Sequence, residues 1–241
     1  SRIAPATSWS EASRIAGGSS IVEIEDTEFQ QPTATLTGGF LYLEEATATL
    51  SRVAGVDAAS EMGGAIALFR ATLTAEDLNL ARNKAVIGGH IHGSESSASL
   101  LRTHMTAGTA EQGAAVAWSK GSLDVVNALW VSQEGAAAGG ALYASDGNVR
   151  MFQATISDNR AESGSAVAMN GGSVTIDSSI LSGLRGDALV VTGTGQLKLQ
   201  NSILVDVDGA NTIGNVMLDN SVMAADPQFT RPKDGDYTLR A

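Results

Sequence analysis

The chain has no cysteine among its 241 residues, which excludes a disulfide framework and any thiolate metal site. Proline is scarce, at four residues, so rigid linkers between domains are not expected. Aromatic residues make up 5% of the chain against 43% hydrophobic residues overall. Any core is therefore built from Ala, Val, Ile and Leu, which suits a narrow interior better than a broad globular one. No run reaches the ~18 apolar residues of a membrane span, and no charged-then-apolar signal segment is present. Positive charge is also short: 15 Lys and Arg stand against 26 Asp and Glu, a net charge of −11. That balance argues against nucleic acid or an anionic membrane as partner, although solubility alone accounts for such acidity.

Glycine is what the chain has in quantity, with 27 residues, and its placement is regular. Gly38, Gly63, Gly88, Gly113, Gly139 and Gly164 are separated by 25, 25, 25, 26 and 25 residues. A fixed period in this range signals stacked repeats. Between the glycines the apolar residues alternate in short bursts broken by Gly, Asn and Asp. The i, i+3, i+4 spacing of a helical repeat is missing. Each copy reads as one coil of short strands and bends, and coils stacked at the strand spacing make a parallel β-helix.

Counting from each opening glycine sorts the coil into columns. Offset three gives Leu41, Ile66, Ile91, Val116, Leu142 and Val167; offset five gives Leu43, Leu68, Gly93, Trp118, Ala144 and Met169. Offset twelve gives Leu50, Ala75, Leu100, Val125, Met151 and Ile176. Alternate strand residues face opposite sides, so these columns are expected inside. Offset fourteen is polar (Arg52, Asp77, Arg102, Asn127, Gln153, Ser178) and belongs at a bend. The whole is expected to be an all-β, single-stranded parallel β-helix of about eight or nine coils, roughly 40 Å long.

The ends depart from the rhythm. Ser8 and Glu11 have the spacing of a capping box, which predicts a short helix over Trp9–Ala16, stopped by Gly17-Gly18. Three segments are expected: a cap over 1–20, the β-helix over 21–225 and a closing segment over 226–241. A chain starting at Ser1 fits either a mature form or a fragment of a larger secreted or outer-membrane protein.

The GGA-[IL] openings (Gly63 to Ile66, Gly139 to Leu142), with Asn83 and Asn159 five residues before the next glycine, resemble the repeats of polymorphic outer-membrane proteins. Gly108 and Glu134 occupy the same slot in two other copies. The corners Asn201-Ser202-Ile203-Leu204 and Asn220-Ser221-Val222-Met223, followed by Asp226-Pro227-Gln228-Phe229 and Gly235-Asp236-Tyr237, resemble bacterial β-helix proteins of the choice-of-anchor type. The resemblance implies the pectin-lyase-like superfamily: a right-handed helix with three sheets per coil, a bacterial surface or secreted location, and an adhesive or structural role.

The candidate binding face lies beside the glycines. Offsets two and four read Phe40 and Tyr42, Ala65 and Ala67, His90 and His92, Ala115 and Ala117, Ala141 and Tyr143, Ala166 and Ala168. With offset three inward, these twelve would form an exposed, flat, alanine-rich strip, a surface proteins normally cover. If the strand is instead kinked at the glycines, some of the alanines pack inward as small core residues. His90 and His92 on one strand face, with His104 in the same coil, could begin a metal site but lack further ligands. Bland surface histidines are the simpler reading, and no metal or cofactor is expected. Catalysis by clustered carboxylates, as in polysaccharide lyases and hydrolases on this fold, requires acids stacked at one offset. Asp124 instead stands between Ser99 and Arg150, and Asp77 between Arg52 and Arg102. The Thr49, Thr74, Ser99, Thr175 row is too interrupted by Asp124, Arg150 and Lys198 to act as an ordered hydroxyl array. The expectation is a non-enzymatic extracellular or cell-surface structural and binding module, part of an adhesin or surface assembly. A protein partner or self-association is expected, with polysaccharide as the alternative ligand and a carbohydrate-active enzyme as the alternative function.

Overall fold

In the computed structural model, residues 2–3, 13–16, 20–221, 223, 226–234 and 236–239 are described, and the chain winds into an all-β parallel solenoid of about eight turns. Equivalent strands of successive turns pair in parallel, one turn apart. One ladder runs from Ser13–Ala16 through Leu41–Glu44, Ile66–Phe69 and the start of Ile91–Leu101 to Leu189–Thr192 and Thr212–Ile213. Another runs from Ile21–Gln30 through Thr47–Val56 and Thr72–Ala81 to Val216–Asp219. A third includes His104–Thr106, Leu129–Val131, Thr155–Ser157, Ile180–Ser182 and Ile203–Leu204. Single bridges and short strands tie the return segments together along Lys84, Thr109, Glu134, Arg160 and Arg185.

The glycine openings make the tightest corner. Gly63 has φ 64°, and a side chain there would strike the Ile66 carbonyl; one on Gly64 would strike the Gly89 carbonyl of the next turn. Left-handed backbone and backbone-on-backbone contact together leave room for glycine alone. The three apolar columns are inside as expected, and Leu41, Ile66, Leu142 and Val167 are fully buried.

The other corners use left-handed residues that are not glycine. Asp26, Arg52, Asp77, Arg102, Asn127, Gln153, Ser178, Asn201 and Asn220 stack at one corner with φ of 48–55°. Glu45, Arg70, Glu95, Lys120 and Asp146 stack at a second. At such corners a cation reaches the acid one turn before it: Arg102 to Asp77 at 2.7 Å, Arg70 to Glu45 at 2.9 Å, Arg82 to Asp57 at 2.8 Å, Lys120 to Glu95 at 3.3 Å. Arg52 likewise clasps Asp26 and Glu25 behind it and makes no bridge to Asp77 ahead. The guanidinium hydrogen bonds hold the Asp26, Asp57 and Asp77 carboxyls below the usual range. All these pairs are solvent-exposed, so their contribution is to alignment more than to stability.

Asparagine in the slot before the glycine serves the interior. Asn159 accepts from the buried Gln133 N–H at 2.8 Å and donates to the Trp130 carbonyl at 3.1 Å; Asn83 does the same for Ala58 N–H and the Gly55 carbonyl. The slot assigned by counting to Glu134 belongs to Gln133. The 26-residue coil carries its extra residue between Gly135 and Ala138, after the slot, as the broken register there shows. Gln133 then caps Gly108 N–H at 2.8 Å from the neighbouring turn. Asn159→Ala should cost about 1–3 kcal/mol in urea unfolding, because it strands a buried donor and a buried acceptor. An unchanged midpoint would show that this bracket is dispensable.

Large side chains are matched to missing ones. Phe40, where other turns carry alanine, fills the space over Gly55 and stacks on Phe29 with centroids 4.3 Å apart. Trp118 occupies the place of a side chain at Gly93, one turn earlier. His90 projects toward Gly108, where a Cβ would lie 2.6 Å from His90 Nε2.

Both ends differ from the sequence expectation. The helix expected over Trp9–Ala16 is not formed where the chain is described: Ser13–Ala16 is a strand paired with Leu41–Glu44. An available ladder edge outweighs a short helix's local propensity. The capping box itself, at Ser8 and Glu11, lies outside the described residues. At the other end, Phe229–Arg231 and Asp236–Leu239 form an antiparallel hairpin laid along the flank, with Tyr237 Oη donating to Asp158 Oδ2 at 2.6 Å. The final rung keeps Met217 47% and Leu218 41% exposed.

Candidate functional site

The alanine-rich strip beside the glycines is not an exposed face. Phe40, Ala65, His90, Ala115, Ala141 and Ala166 are at most 1% exposed, and Ala67, His92, Ala117 and Ala168 at most 7%. Only Tyr42 and Tyr143 are half-open. The reason is the corner geometry. The Ala65 carbonyl accepts from both Phe40 N–H and Leu41 N–H, and the Ala115 carbonyl from both His90 and Ile91. One acceptor serving two successive amides turns the backbone, so offsets two and three both face the core. Offset four does face outward, but the preceding glycine folds over it: a Cβ on Gly63 would lie 3.1 Å from Ala67 Cα. The inward-packing alternative for the alanines is the one the chain adopts.

The histidines are separated by the same corner. His90 is in the core, with Nδ1 2.9 Å from Asn83 Nδ2 and Nε2 without a hydrogen-bond partner. His92 points away from the core but is covered against Phe69, ring centroids 5.5 Å apart, in a row that continues to Tyr42 at 5.8 Å from Phe69. Burial pushes His90 down to about 3 and His92 down to about 4. His104 is exposed, and its pKa is lowered in turn by partial burial. The expected shared face does not exist, and neither His90 nor His92 is a surface residue. Among the described residues no three His, Asp or Glu side chains are grouped to hold a metal ion. Asp124 pairs in register with Ser99 and Arg150, as the column count places it.

A groove of about 970 Å³ lies elsewhere, along the return segments. Its floor is Ala85, Ala110, Gly135, Ala161 and Gly186 on consecutive turns. One wall is the column Lys84, Thr109, Glu134, Arg160, Arg185, Asp208; the other carries Val86, Glu111, Ala136 and Glu162. Small floor residues between splayed, longer neighbours are what make the trough. An adjoining hollow of about 570 Å³ shares Glu134, Arg160 and Arg185 and is walled by Pro232 and Tyr237 of the hairpin.

The charge in this groove is unlike that of the corners. Arg52, Arg70, Arg82, Arg102, Lys120, Lys198 and Arg231 each lie within 4.0 Å of a carboxylate. Among the described residues Lys84, Arg160 and Arg185 in the groove make no ion pair, nor does Arg150 outside it, although Glu134 and Asp208 are the neighbouring rungs to Arg160 and Arg185. Counting from the opening glycine hid this site, because it lies in the second half of the coil. The available signal was the residue after each Asn slot: Lys84, Thr109, Glu134 and Arg160 follow Asn83, Gly108, Gln133 and Asn159. Comparison with family models, with curated proteins and with solved structures finds no match.

Proposed function

We propose that the chain is a non-enzymatic structural and binding module of an extracellular or cell-surface assembly, which holds an extended polymer in the groove floored by Ala85 to Gly186. The single observation that carries this reading is the concentration of uncommitted charge there. Cations at the corners are bound to the preceding turn, whereas Lys84, Arg160 and Arg185 face open space beside Glu111, Glu134 and Glu162. The lack of a carboxylate stacked on Asp77 or Asp124 favours binding over catalysis. The surface setting, the right-handed winding and the three-sheet coil of the pectin-lyase-like class rest on the likeness of the GGA-[IL] and NSIL units to bacterial surface repeats.

Blocking the groove tests the proposal. Beads carrying the protein should adhere to a surface or matrix preparation, and Ala136→Trp, at an exposed rim position, should abolish retention without changing the circular dichroism spectrum. Equal retention by the variant sinks the groove as the binding site. Cleavage of an acidic glycan by the unmodified protein sinks the non-enzymatic reading.

A further inference from the structure

We infer that the groove's occupant is an extended polypeptide segment of a protein partner carrying both signs of charge, with an acidic side chain over Arg160 and Arg185 and a basic one over Glu111 and Glu134. The inference rests on the groove being the binding site and goes on to say what class of chain lies in it.

Charge complementarity selects the class. A polyanion drawn to Arg160 and Arg185 would also have to pass Glu111, Glu134 and Glu162, which line the same trough. A polycation would meet the converse problem at the arginines and at Lys84. Like charges set against each other lower affinity, and opposed signs fix the register of a bound chain. A polypeptide places both signs along one backbone, at a spacing its sequence sets.

That spacing follows from the ladder. Rungs are about 4.8 Å apart, so the acidic pair and the arginine pair, two rungs apart, are centred roughly 10 Å from one another. An extended chain in the polyproline II form advances about 3.1 Å per residue and returns every third side chain to the same face, which puts the basic and acidic side chains three residues apart. The wall from Lys84 to Asp208 covers six rungs, about 24 Å or eight residues of such a segment. Recognition is by side chains: the floor amides are spent within the solenoid, Ala85 N–H on Thr109, Gly135 N–H on Arg160 and Ala161 N–H on Arg185. With these amides already bonded, the occupant does not add to the floor as an extra strand.

The test uses the intact protein and four labelled probes in fluorescence anisotropy at low and physiological salt. One peptide of ten residues carries Lys and Glu three apart on a Gly-Ser background; two others carry Lys alone or Glu alone; the fourth probe is polygalacturonate. The mixed-charge peptide should bind about tenfold or more tightly than either single-sign peptide. Arg160→Glu with Arg185→Glu, both at exposed sites, should remove that preference while Arg82→Glu, outside the groove, leaves it intact. Tighter binding of polygalacturonate that is lost in the arginine variant overturns the inference but keeps the groove as a binding site. Equal weak binding of every probe, unchanged by either variant, overturns the inference and counts against the groove itself.

Discussion

Gly93→Leu should destabilise the protein by about 3 kcal/mol or more, even though leucine is the residue at the same position of two earlier turns, Leu43 and Leu68. The cause is one turn away. A Cβ at Gly93 would already overlap the six-membered ring of Trp118, which is 1% exposed and has no room to retreat. A rigid ring in a core packed at crystal-like density relaxes poorly, so the added atoms must displace backbone. Trp118→Leu alone should also destabilise, by about 2–4 kcal/mol, through the cavity it leaves over Gly93. Combining the two restores the pairing of leucines found between Leu43 and Leu68, which are both fully buried. The double variant should therefore be more stable than the sum of the single effects implies, by at least about 2 kcal/mol. Urea midpoints for the four proteins measure this coupling, and simple additivity would falsify the size-matched pairing.

Acidification should weaken the fold well above the range in which carboxylates titrate. His90 and His92 in the unfolded chain take up protons near pH 6.5, whereas burial holds them neutral in the folded protein down to about 3 and about 4. The unfolded state binds more protons between those limits, so stability is complete above pH 6.5 and is lost progressively as the pH falls. At pH 5 each ring accounts for about 2 kcal/mol of loss. His90 is fully enclosed, and the charge that His104 of the same coil would carry lowers its pKa in the same direction as burial. His90→Ala adopts the residue that other turns use at this corner. It should halve the fall in stability between pH 7 and pH 5, at the expense of a cavity beside Gly108 and Asn83. The corner carboxylates contribute at lower pH, because Asp26, Asp57 and Asp77 are held ionised by their arginines. A stability that stays flat from pH 7 to pH 5 would mean that the imidazoles reach water in solution.

The repeat made most of the fold legible. Two-residue alternation placed Leu41, Leu43, Leu50 and their equivalents in the core, because side-chain direction along a strand is fixed by local geometry. Alternation failed at the glycine corner, where one carbonyl accepts from two amides and Ala65, Ala115 and Ala141 turn inward. That bifurcation is a property of the stacked backbone and has no residue-type signature. The helix read over Trp9–Ala16 failed for a related reason: a local capping signal says nothing about a ladder edge waiting 28 residues downstream, at Leu41 for Ser13. Gln133 was missed because one added residue between Gly135 and Ala138 moved the glycine but left the slot in place. No sequence pattern set the charged groove residues Lys84, Arg160 and Arg185 apart from other polar residues of the coil. Their distinction lies in what they do not touch, and only the spatial arrangement reveals that Arg160 and Arg185 lack the partners that Arg82 and Arg102 possess.

Every described rung between the ends is bonded to the turn before it and the turn after it, with no strand bridging more distant turns along the ladders. Tension along the axis would thus load the hydrogen bonds of one interface after another. Each turn that peels away releases about 25 residues, roughly 80 Å of extended chain. A solenoid built this way yields in steps, and each turn released leaves the turns still stacked paired as before.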